Sequence, residues 1–303
     1  MKILLFGKNG QVGWELQRSL AVLGEVVAVD IDSAPPWRPD FLDPDAITAL
    51  IARADPALIV NAAAHTAVDK AEAEPELVHA INAAAVGTMA RAAAARKAWL
   101  VHYSTDYVFD GSGSAPWTED APTAPLSVYG RSKAESERLI RESGCRHLIF
   151  RTSWVFGARG DNFAKIMLRL ARTRDAINVI DDQVGAPTGA ELLADITAHA
   201  CRIVAARPKL SGTYHVVAAG ETSWHGYARY VIDFARARGE ALRVAPEGVN
   251  AIRTSAYPQA ATRPKNSRLD TKKLREAFDL SLPTWQAGVD RMLNEVLVAK
   301  ESS

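Results

Sequence analysis

The chain of 303 residues has little cysteine, no long hydrophobic run and no excess of charge of either sign. Its two cysteines, Cys145 and Cys201, cannot form a disulfide framework, and neither lies in a spacing typical of a metal site. No apolar stretch approaches the roughly 18 residues that a membrane span needs. The opening residues 2–6 are strand-like and are not typical of a signal peptide. We therefore expect a cytoplasmic protein with no membrane partner.

The charge balance excludes whole classes of electrostatic partner. Lys and Arg number 36 and Asp and Glu number 35, so the net charge is +1. Such a chain has no general attraction to nucleic acid, and any anion site must be local. Hydrophobic residues make up 48% of the chain and charged residues 23%, which is ordinary for a globular protein and excludes disordered and low-complexity classes.

Short apolar runs alternate with helical stretches in the first half of the chain. We expect strands at residues 2–6, 25–30, 57–61, 99–104 and 147–151. Between the first two, Val12, Leu16 and Leu20 recur at the spacing of an amphipathic helix. An alanine-rich helix is expected from Pro75 to about Lys97, since proline is tolerated in a first turn. Strands separated by helices predict an α/β fold: a Rossmann-type, doubly wound parallel sheet with helices on both faces.

A glycine-rich turn joins the first strand to the first helix. Gly7, Gly10 and Gly13 have the spacing GxxGxxG. Glycines there allow a tight turn and let the backbone approach a pyrophosphate, which the helix N-terminus then faces. Asp30 ends the second strand, where a carboxylate can accept hydrogen bonds from an adenosine ribose. This context predicts a dinucleotide site and leaves the choice between NADH and NADPH open.

The second half of the chain is less regular. Helices are expected at residues 161–174, 191–207, 223–238 and 284–298, joined by loops that contain proline. We expect an NAD(P)-binding Rossmann domain over residues 1–155, to which a later segment at about 185–207 returns. Residues 156–303 would form a smaller, mostly helical C-terminal domain for the substrate, with a cleft between the two.

Tyr129 and Lys133 form a YxxxK pair. In a helix the two side chains share a face. A nearby ammonium lowers the pKa of a phenol from about 10, so Tyr129 is suited to protonate a carbonyl oxygen as the carbon receives hydride. Thr105, at the end of the fourth strand, would lie at the sheet edge where such folds bind ligands, and its hydroxyl could orient the carbonyl. Together these residues predict an oxidoreductase.

The glycine loop, Thr105 and the YxxxK pair resemble the extended short-chain dehydrogenase/reductase superfamily. Longer segments are similar to the dTDP-4-dehydrorhamnose reductase family over essentially the whole chain. Among them are VNAAAHTAVDKAE (60–72), HYSTDYVFDG (102–111), VYGRSKAESE (128–137) and DDQVGAPTGAELLAD (181–195). That family reduces the C4 ketone of a dTDP-linked sugar with NADPH or NADH, the last step of dTDP-L-rhamnose synthesis for surface polysaccharide. The resemblance implies the same substrate and cofactor here.

The resemblance also implies roles for individual residues, with Tyr129 as proton donor and Lys133 and Thr105 completing the catalytic set. The expected cofactor contacts are Gly7, Gly10, Gln11, Val12, Gly13, Asp30, Asp40, Phe41, Ala64, His65, Thr66, Tyr103, Tyr129 and Lys133. The expected substrate contacts are Thr105, Asp106, Tyr129, Trp154, Arg263 and Asn266. Some family members bind Mg²⁺ between two subunits, at positions that align with Glu15, Glu191 and Glu295. A homodimer and a Mg²⁺ ion at its interface are therefore among the expectations.

Two other functions stay open from the sequence. A nucleotide-sugar 4-epimerase shares the fold and the Tyr–Lys pair, but it would retain bound NAD and return it unchanged. A non-catalytic regulatory subunit of methionine adenosyltransferase resembles the same reductases, and such a protein would bind NAD(P) without turnover. The presence of Thr105, Tyr129 and Lys133 argues against a binding protein, which has no need of a tuned phenol.

Overall fold

The computed structural model describes residues 1–298, so residues 299–303 of the expected second domain lie outside it. Its strands are β1 (Lys2–Phe6), β2 (Glu25–Val29), β3 (Leu58–Asn61), β4 (Trp99–Thr105), β5 (Arg146–Thr152), β6 (Val155–Phe156), β7 (Ile177–Ile180), β8 (Val184–Gly185), β9 (Thr188–Gly189), β10 (Gly212–His215), β11 (Thr222–Ser223) and β12 (Val249–Ile252). Its α-helices are α1 (Gln11–Ala21), α2 (Pro44–Ala54), α3 (Val68–Ala71), α4 (Pro75–His79), α5 (Ala85–Arg96), α6 (Val128–Glu142), α7 (Phe163–Thr173), α8 (Ala190–Ala206), α9 (Trp224–Ala237), α10 (Lys272–Phe278) and α11 (Trp285–Val298). None of these helices is both long and apolar enough to cross a membrane.

Six parallel strands form the central sheet, in the order β10-β5-β4-β3-β1-β2. The chain leaves β1 toward β2 and then returns to the other side of β1 as β3. This reversal creates a crevice beyond the carboxyl ends of β1 and β3, which is where open α/β sheets bind ligands. The five strands expected from the sequence are confirmed. β10 was missed because its sequence GTYH has no apolar run, and its place in the sheet comes from pairing with β5.

Helices cover both faces of the sheet, as the expected doubly wound fold requires. Successive strand residues point to opposite faces, so Ile3 and Leu5 enter one core and Leu4 and Phe6 the other. The first core is completed by apolar residues of α1, α8 and α10. The second is completed by apolar residues of α2, α5 and α6. The Rossmann-type fold is therefore confirmed, and it includes α8, β10 and α10 from the second half of the chain.

A third core lies among α7, α9 and α11 and the parallel pair β7–β12. Met167, Tyr227 and Val289 are buried in it, one from each helix. The helices expected in the second half of the chain are present, with ends within two residues of those expected. This helical unit stands against the sheet edge that carries the crevice, because Trp224 at the start of α9 lines the same cleft as the glycine loop.

The long helix expected from Pro75 contains a π-helical turn at Ala80–Ala84, between α4 and α5. The turn carries Asn82, whose side chain is fully buried. Its Oδ1 accepts a hydrogen bond from the backbone N–H of His65 at 2.7 Å, and its Nδ2 donates to Ser132 Oγ at 3.1 Å. π-turns inside helices are frequent near functional sites. This one fastens the loop after β3 to α6, and both of those segments border the cleft.

Candidate active site

A cleft of about 440 Å³ opens at the carboxyl ends of β1, β3 and β4. The glycine loop forms one wall, the start of α6 another, and two tryptophans stand on the side of the helical unit. The structure brings together these residues expected from the sequence: Gly10, Gln11, Val12, Ala64, Thr66, Tyr103, Thr105, Asp106, Tyr129, Lys133 and Trp154. Residues that the sequence reasoning missed also line it: Ala62, Val68, Ser104, Tyr107, Thr152, Ser153, Val155 and Trp224.

The glycine loop is built by backbone geometry. Gly7 has φ +86°, and a Cβ there would stand 2.7 Å from the backbone nitrogen of Ala63. A Cβ on Gly13 would lie 1.8 Å from the Gly7 carbonyl oxygen, so these two glycines allow the turn and the close packing of α1 on β1. Gly10 caps α1 without a side-chain hydrogen bond, and the first turn of the helix holds no acidic residue. An uncapped helix N-terminus that faces the cleft fits the pyrophosphate of a dinucleotide.

Asp30 fastens the glycine loop to β2. Its carboxylate accepts hydrogen bonds from the backbone N–H of Asn9 at 3.1 Å and of Ile31 at 2.7 Å. Lys8, in the same loop, places its Nζ 3.3 Å from Ser33 Oγ and 3.5 Å from an Asp32 oxygen. A carboxylate and a cation therefore lie side by side at the end of β2, where the adenosine ribose of a dinucleotide is expected.

Six of the expected cofactor residues do not line the cleft: Gly7, Gly13 and Asp30, which build its glycine loop, and Asp40, Phe41 and His65. Phe41 packs edge-on against Phe6, with ring centroids 6.0 Å apart, and Asp40 accepts a hydrogen bond from the backbone N–H of Leu42 at 2.9 Å. His65 gives its backbone N–H to Asn82, and its Nε2 lies 3.6 Å from a Glu74 oxygen. In this structure these side chains hold the loops around the crevice.

Two of the expected substrate residues lie outside the cleft as well. Arg263 forms a forked ion pair with Asp69, at 3.0 and 2.6 Å, and lines a second cavity of about 410 Å³ beside α7 and β7. Trp224 lines both cavities. Asn266 is buried and its amide donates to two backbone carbonyls, the nearer being that of Ala115 at 2.8 Å. The structure thus gives Asn266 a role in holding the loop before α10.

The start of α6 positions Tyr129. Ser127 caps the helix, its Oγ accepting the Gly130 N–H at 3.1 Å, so Tyr129 falls in the first turn. Gly130 lets α6 approach the turn after β4, because a Cβ there would stand 2.3 Å from the Tyr107 carbonyl oxygen. The rings of Tyr107 and Tyr129 meet edge to face at 5.7 Å. The segment SVYG thereby brings the phenol to the end of the strand that carries Thr105.

The pKa of Tyr129 departs from the expectation drawn from the sequence. Burial raises the pKa of Tyr129 to about 12, the nearby Asp106 carboxylate adds to this, and the Thr105 hydroxyl offsets part of it. The expected lowering by Lys133 is wrong for this structure. Lys133 is itself 2% exposed, and burial lowers the pKa of its ammonium to about 7, so at neutral pH only part of its positive charge remains.

Thr105 and Asp106 form a buried acceptor group beside Tyr129. Thr105 Oγ1 donates to Asp106 Oδ1 at 3.0 Å and accepts the Tyr107 N–H at 3.2 Å. Burial raises the pKa of Asp106 to about 6, and the nearby hydroxyls of Ser267 and Thr105 lower it in part. Among residues 1–298, Asp106 Oδ2 has no hydrogen-bond partner. Since a buried polar atom needs a partner, this oxygen fits a ligand hydroxyl.

Two stacked tryptophans form the wall that faces the helical unit. Trp154 has φ +50° and lies on Trp224, with ring centroids 3.7 Å apart and planes 15° from parallel. Trp154 was expected from the sequence, and Trp224 was not. The only local signal for Trp224 is Ser223, which caps α9 by accepting the Gly226 N–H and so marks Trp224 as the first helical residue. That signal locates a helix start and says nothing about the cleft.

A buried ion pair supports the floor of the site. Glu137 on α6 is fully buried and accepts from Arg151 Nε at 2.8 Å and Nη2 at 2.7 Å. It also accepts from Ser104 Oγ at 2.6 Å. Burial by itself would raise the pKa of Glu137, but the hydrogen bonds and charge of Arg151 outweigh it and the pKa is lowered. The pair joins α6 to β5, and the hydrogen bond from Ser104 joins α6 to β4 one residue before Thr105.

The three glutamates expected to hold Mg²⁺ line one small pocket together with Arg291. They come from three helices: Glu15 from α1, Glu191 from α8 and Glu295 from α11. Arg291 Nε donates to Glu295 Oε1 at 3.4 Å. Among residues 1–298, no three Asp, Glu, His or Cys side chains are arranged to hold a metal ion. A single chain therefore does not present a Mg²⁺ site, and the ion at a subunit interface stays a prediction.

The parallel sheet, the glycine loop at its reversal point and a Thr–Tyr–Lys set in the adjoining cleft define a dehydrogenase/reductase of the extended short-chain class. The family model described as "RmlD substrate binding domain" matches residues 1–298. The dTDP-4-dehydrorhamnose reductase of Salmonella typhimurium is 54% identical over 296 residues, which are 98% of this chain and 98% of that protein. The chain belongs to the dTDP-4-dehydrorhamnose reductase family, and it is an oxidoreductase that uses a nicotinamide cofactor.

Solved structures of the family share the fold over its full length. A dTDP-4-dehydrorhamnose reductase from Clostridium acetobutylicum has a TM-score of 0.86 at 32% identity, covering 98% of this chain and 100% of that chain. The dTDP-4-dehydrorhamnose reductase of Bacillus anthracis was solved in complex with NADP. It has a TM-score of 0.85 at 32% identity, covering 97% of this chain and 100% of that chain.

Proposed function

We propose that this chain reduces the C4 ketone of dTDP-4-dehydro-L-rhamnose to give dTDP-L-rhamnose, with NADPH or NADH as the reductant. The observation that carries the proposal is that Thr105, Tyr129 and Lys133 share one cleft with the uncapped N-terminus of α1. Relatives similar over the full length carry the name of this activity.

Tyr129 is the proton donor in this proposal. With a pKa raised to about 12, the phenol keeps its proton at neutral pH, which a donor to the carbonyl oxygen must do. Thr105 orients the carbonyl through its hydroxyl, and Asp106 accepts a sugar hydroxyl at its unpartnered oxygen. Trp154 packs on the sugar from the opposite side. The nicotinamide cofactor, when bound, supplies the hydride.

Both reduced cofactors can be accommodated at the end of β2. Asp30 accepts from the adenosine ribose, which suits NADH. Lys8 lies beside Ser33 and Asp32, where a cation can meet the additional phosphate of NADPH. Residues 1–155, with the returning segment at 185–207, hold the cofactor. The helical unit of α7, α9 and α11 holds the nucleotide sugar, and Arg263, which pairs with Asp69 in this structure, exchanges that partner for the phosphates of the nucleotide.

The first experiment follows NADH and NADPH absorbance with dTDP-4-dehydro-L-rhamnose generated in situ. We expect stoichiometric oxidation and dTDP-L-rhamnose as product. Tyr129→Phe should keep cofactor affinity and lose about 10²–10⁴-fold in kcat. Tyr230→Phe, which loses a hydroxyl bonded to Asp290 outside the cleft, is the matched control. Bound NAD⁺ with an isomerised sugar would mean an epimerase, and cofactor binding without turnover would mean a binding protein.

The homodimer and its Mg²⁺ ion are separate from this chemistry. If the glutamate pocket holds the ion between two chains, EDTA should shift the sedimentation coefficient toward that of a monomer, and Glu191→Gln should do the same without EDTA. An unchanged assembly in both cases would remove the magnesium prediction.

A further inference from the structure

A group of buried polar side chains lies against Lys133. His102, on β4, is 1% exposed, and its Nε2 lies 3.1 Å from Lys133 Nζ. The same nitrogen is 3.1 Å from Ser136 Oγ. The other ring nitrogen, Nδ1, is 3.2 Å from Asn61 Nδ2. Among residues 1–298, His102 is the only hydrogen-bond partner of the Lys133 amine.

The directions of these hydrogen bonds determine where His102 carries its proton. Asn61 Oδ1 accepts the Ala63 N–H at 3.1 Å, so the Asn61 amide nitrogen is the group that faces His102. That nitrogen is a donor, hence His102 Nδ1 must accept. Burial first, and the charge of Lys133 second, keep the pKa of His102 well below its usual range, so the ring is neutral. A neutral ring that accepts at Nδ1 carries its hydrogen on Nε2.

The Nε2–H of His102 therefore points toward Ser136 and Lys133. The Ser136 hydroxyl gives its hydrogen to the Lys133 carbonyl at 2.6 Å, which leaves its oxygen to accept. The N–H is shared between this oxygen and Lys133, each 3.1 Å from Nε2. An amine at Lys133 can accept its share through its lone pair, whereas an ammonium has no lone pair to offer. The contact thus favours the amine.

Other titratable and charged groups lie around Lys133 as well. Tyr103 on β4, Asp106 in the turn after β4 and Tyr129 on α6 line the same cleft. Glu137 on α6, which pairs with Arg151 on β5, acts on the charge of Lys133. Burial lowers the pKa of Lys133 to about 7, and the carboxylate of Glu137 opposes this. Burial and the direction of the His102 hydrogen bond therefore both favour the neutral amine of Lys133.

We propose that His102, oriented by Asn61, is a positioning residue for Lys133: its Nε2–H holds the lysine nitrogen in place and favours the amine over the ammonium. The role rests on the proposed reduction, in which the O–H bond of Tyr129 breaks and an O–H bond forms on O4 of the sugar. An N–H bond of the Lys133 ammonium then breaks as the phenol O–H is restored, and the amine takes a new proton from water. Because His102 destabilises the ammonium, that proton is released readily.

Two variants of His102 separate this role from a purely structural one. Reduction needs protonated Lys133, so kcat/KM falls as the pH rises through the pKa of Lys133 in the free enzyme. His102→Phe keeps a ring and loses the N–H. This variant should move the basic limb of the pH profile, where kcat/KM falls, up by about one pH unit, and it should lower kcat about tenfold. His102→Gln keeps an N–H donor and should leave the limb near that of the wild type. His147→Phe, on β5 outside the cleft, is the control.

The decisive measurement is NMR of the cofactor-free protein, which needs no substrate. The ¹⁵N shifts of His102 report which ring nitrogen is protonated, and the ¹³Cε shift of Lys133, assigned with Lys133→Met, reports its titration. We expect a proton on Nε2 and a Lys133 titration that moves to higher pH in His102→Phe. A proton on Nδ1, or a titration that moves to lower pH, overturns the proposal, because His102 would then accept from an ammonium. If the NMR result holds while the sugar is not reduced, the proposed function fails and the placement of the proton stands.

Discussion

Replacing Glu137 by glutamine should destabilise the protein far more than the same replacement two residues away. Glu137 and Arg151 are 0% and 3% exposed, and their forked hydrogen bonds join α6 to β5. Glutamine keeps the volume and one acceptor oxygen but removes the charge, leaving the guanidinium buried without a counter-charge. Removing one partner of a buried pair typically costs about 3–5 kcal/mol, and because one oxygen remains we expect about 3 kcal/mol of unfolding free energy to be lost.

Glu135→Gln is the matched control, since Glu135 pairs with Arg138 on the same helix. The side chains of that pair are 30% and 49% exposed. An exposed pair contributes about 0–1 kcal/mol, so this variant should unfold almost like the wild type. The double variant Glu137→Gln/Arg151→Met removes both charges of the buried pair, so neither is left without a partner. We therefore expect it to be more stable than Glu137→Gln.

The assay is urea unfolding followed by tryptophan fluorescence and circular dichroism, with m-values compared between variants. Because the pKa of Glu137 is lowered in the folded state, its contribution is fully present above pH about 4.3 and is lost as the pH falls through the lowered value. The difference in unfolding free energy between the wild type and Glu137→Gln should therefore become smaller below that pH. A loss within about 1 kcal/mol of the Glu135→Gln control would refute the argument that the buried pair stabilises this floor.

Three further predictions concern the cleft. Lys8→Ala should raise the KM for NADPH about tenfold or more and leave that for NADH nearly unchanged in steady-state assays, because only NADPH has the additional phosphate on its adenosine ribose. Equal effects on the two KM values would contradict this role of Lys8. Gly13→Ala should lower the melting temperature sharply, since the new Cβ has no room, whereas Gly10→Ala, whose Cβ would meet its nearest neighbour at 3.5 Å, should fold normally and only weaken cofactor binding. Trp224→Ala should raise the KM for the nucleotide sugar about tenfold with a smaller change in kcat. The reason is that an aromatic stack contributes about 0.5–1.5 kcal/mol beyond the area it buries. An unchanged KM would mean that the sugar does not bind against the tryptophan wall of the cleft.

Much of the Rossmann-type layer follows from local sequence. The apolar runs at β1, β3 and β4 are buried on both faces of the sheet, so continuous hydrophobicity predicts them directly. The GxxGxxG spacing and the YxxxK pair are equally local. The glycines lie within one loop and the first turn of α1, and the tyrosine and lysine lie one helical turn apart. The caps of α6 and α7 by Ser127 and Asn162 are signals of the same kind.

Other features depend on contacts between distant parts of the chain. β10 is a strand because it pairs with β5, and Trp224 lines the cleft because α9 packs where Trp154 can stack on it. The protonation of Tyr129 and Lys133 is of this kind as well. The sequence by itself determined that a phenol and an amine share a helix face, and it predicted that the amine would acidify the phenol. Only the tertiary structure decided that both are buried, and because burial disfavours the charged form of each, it raised one pKa and lowered the other.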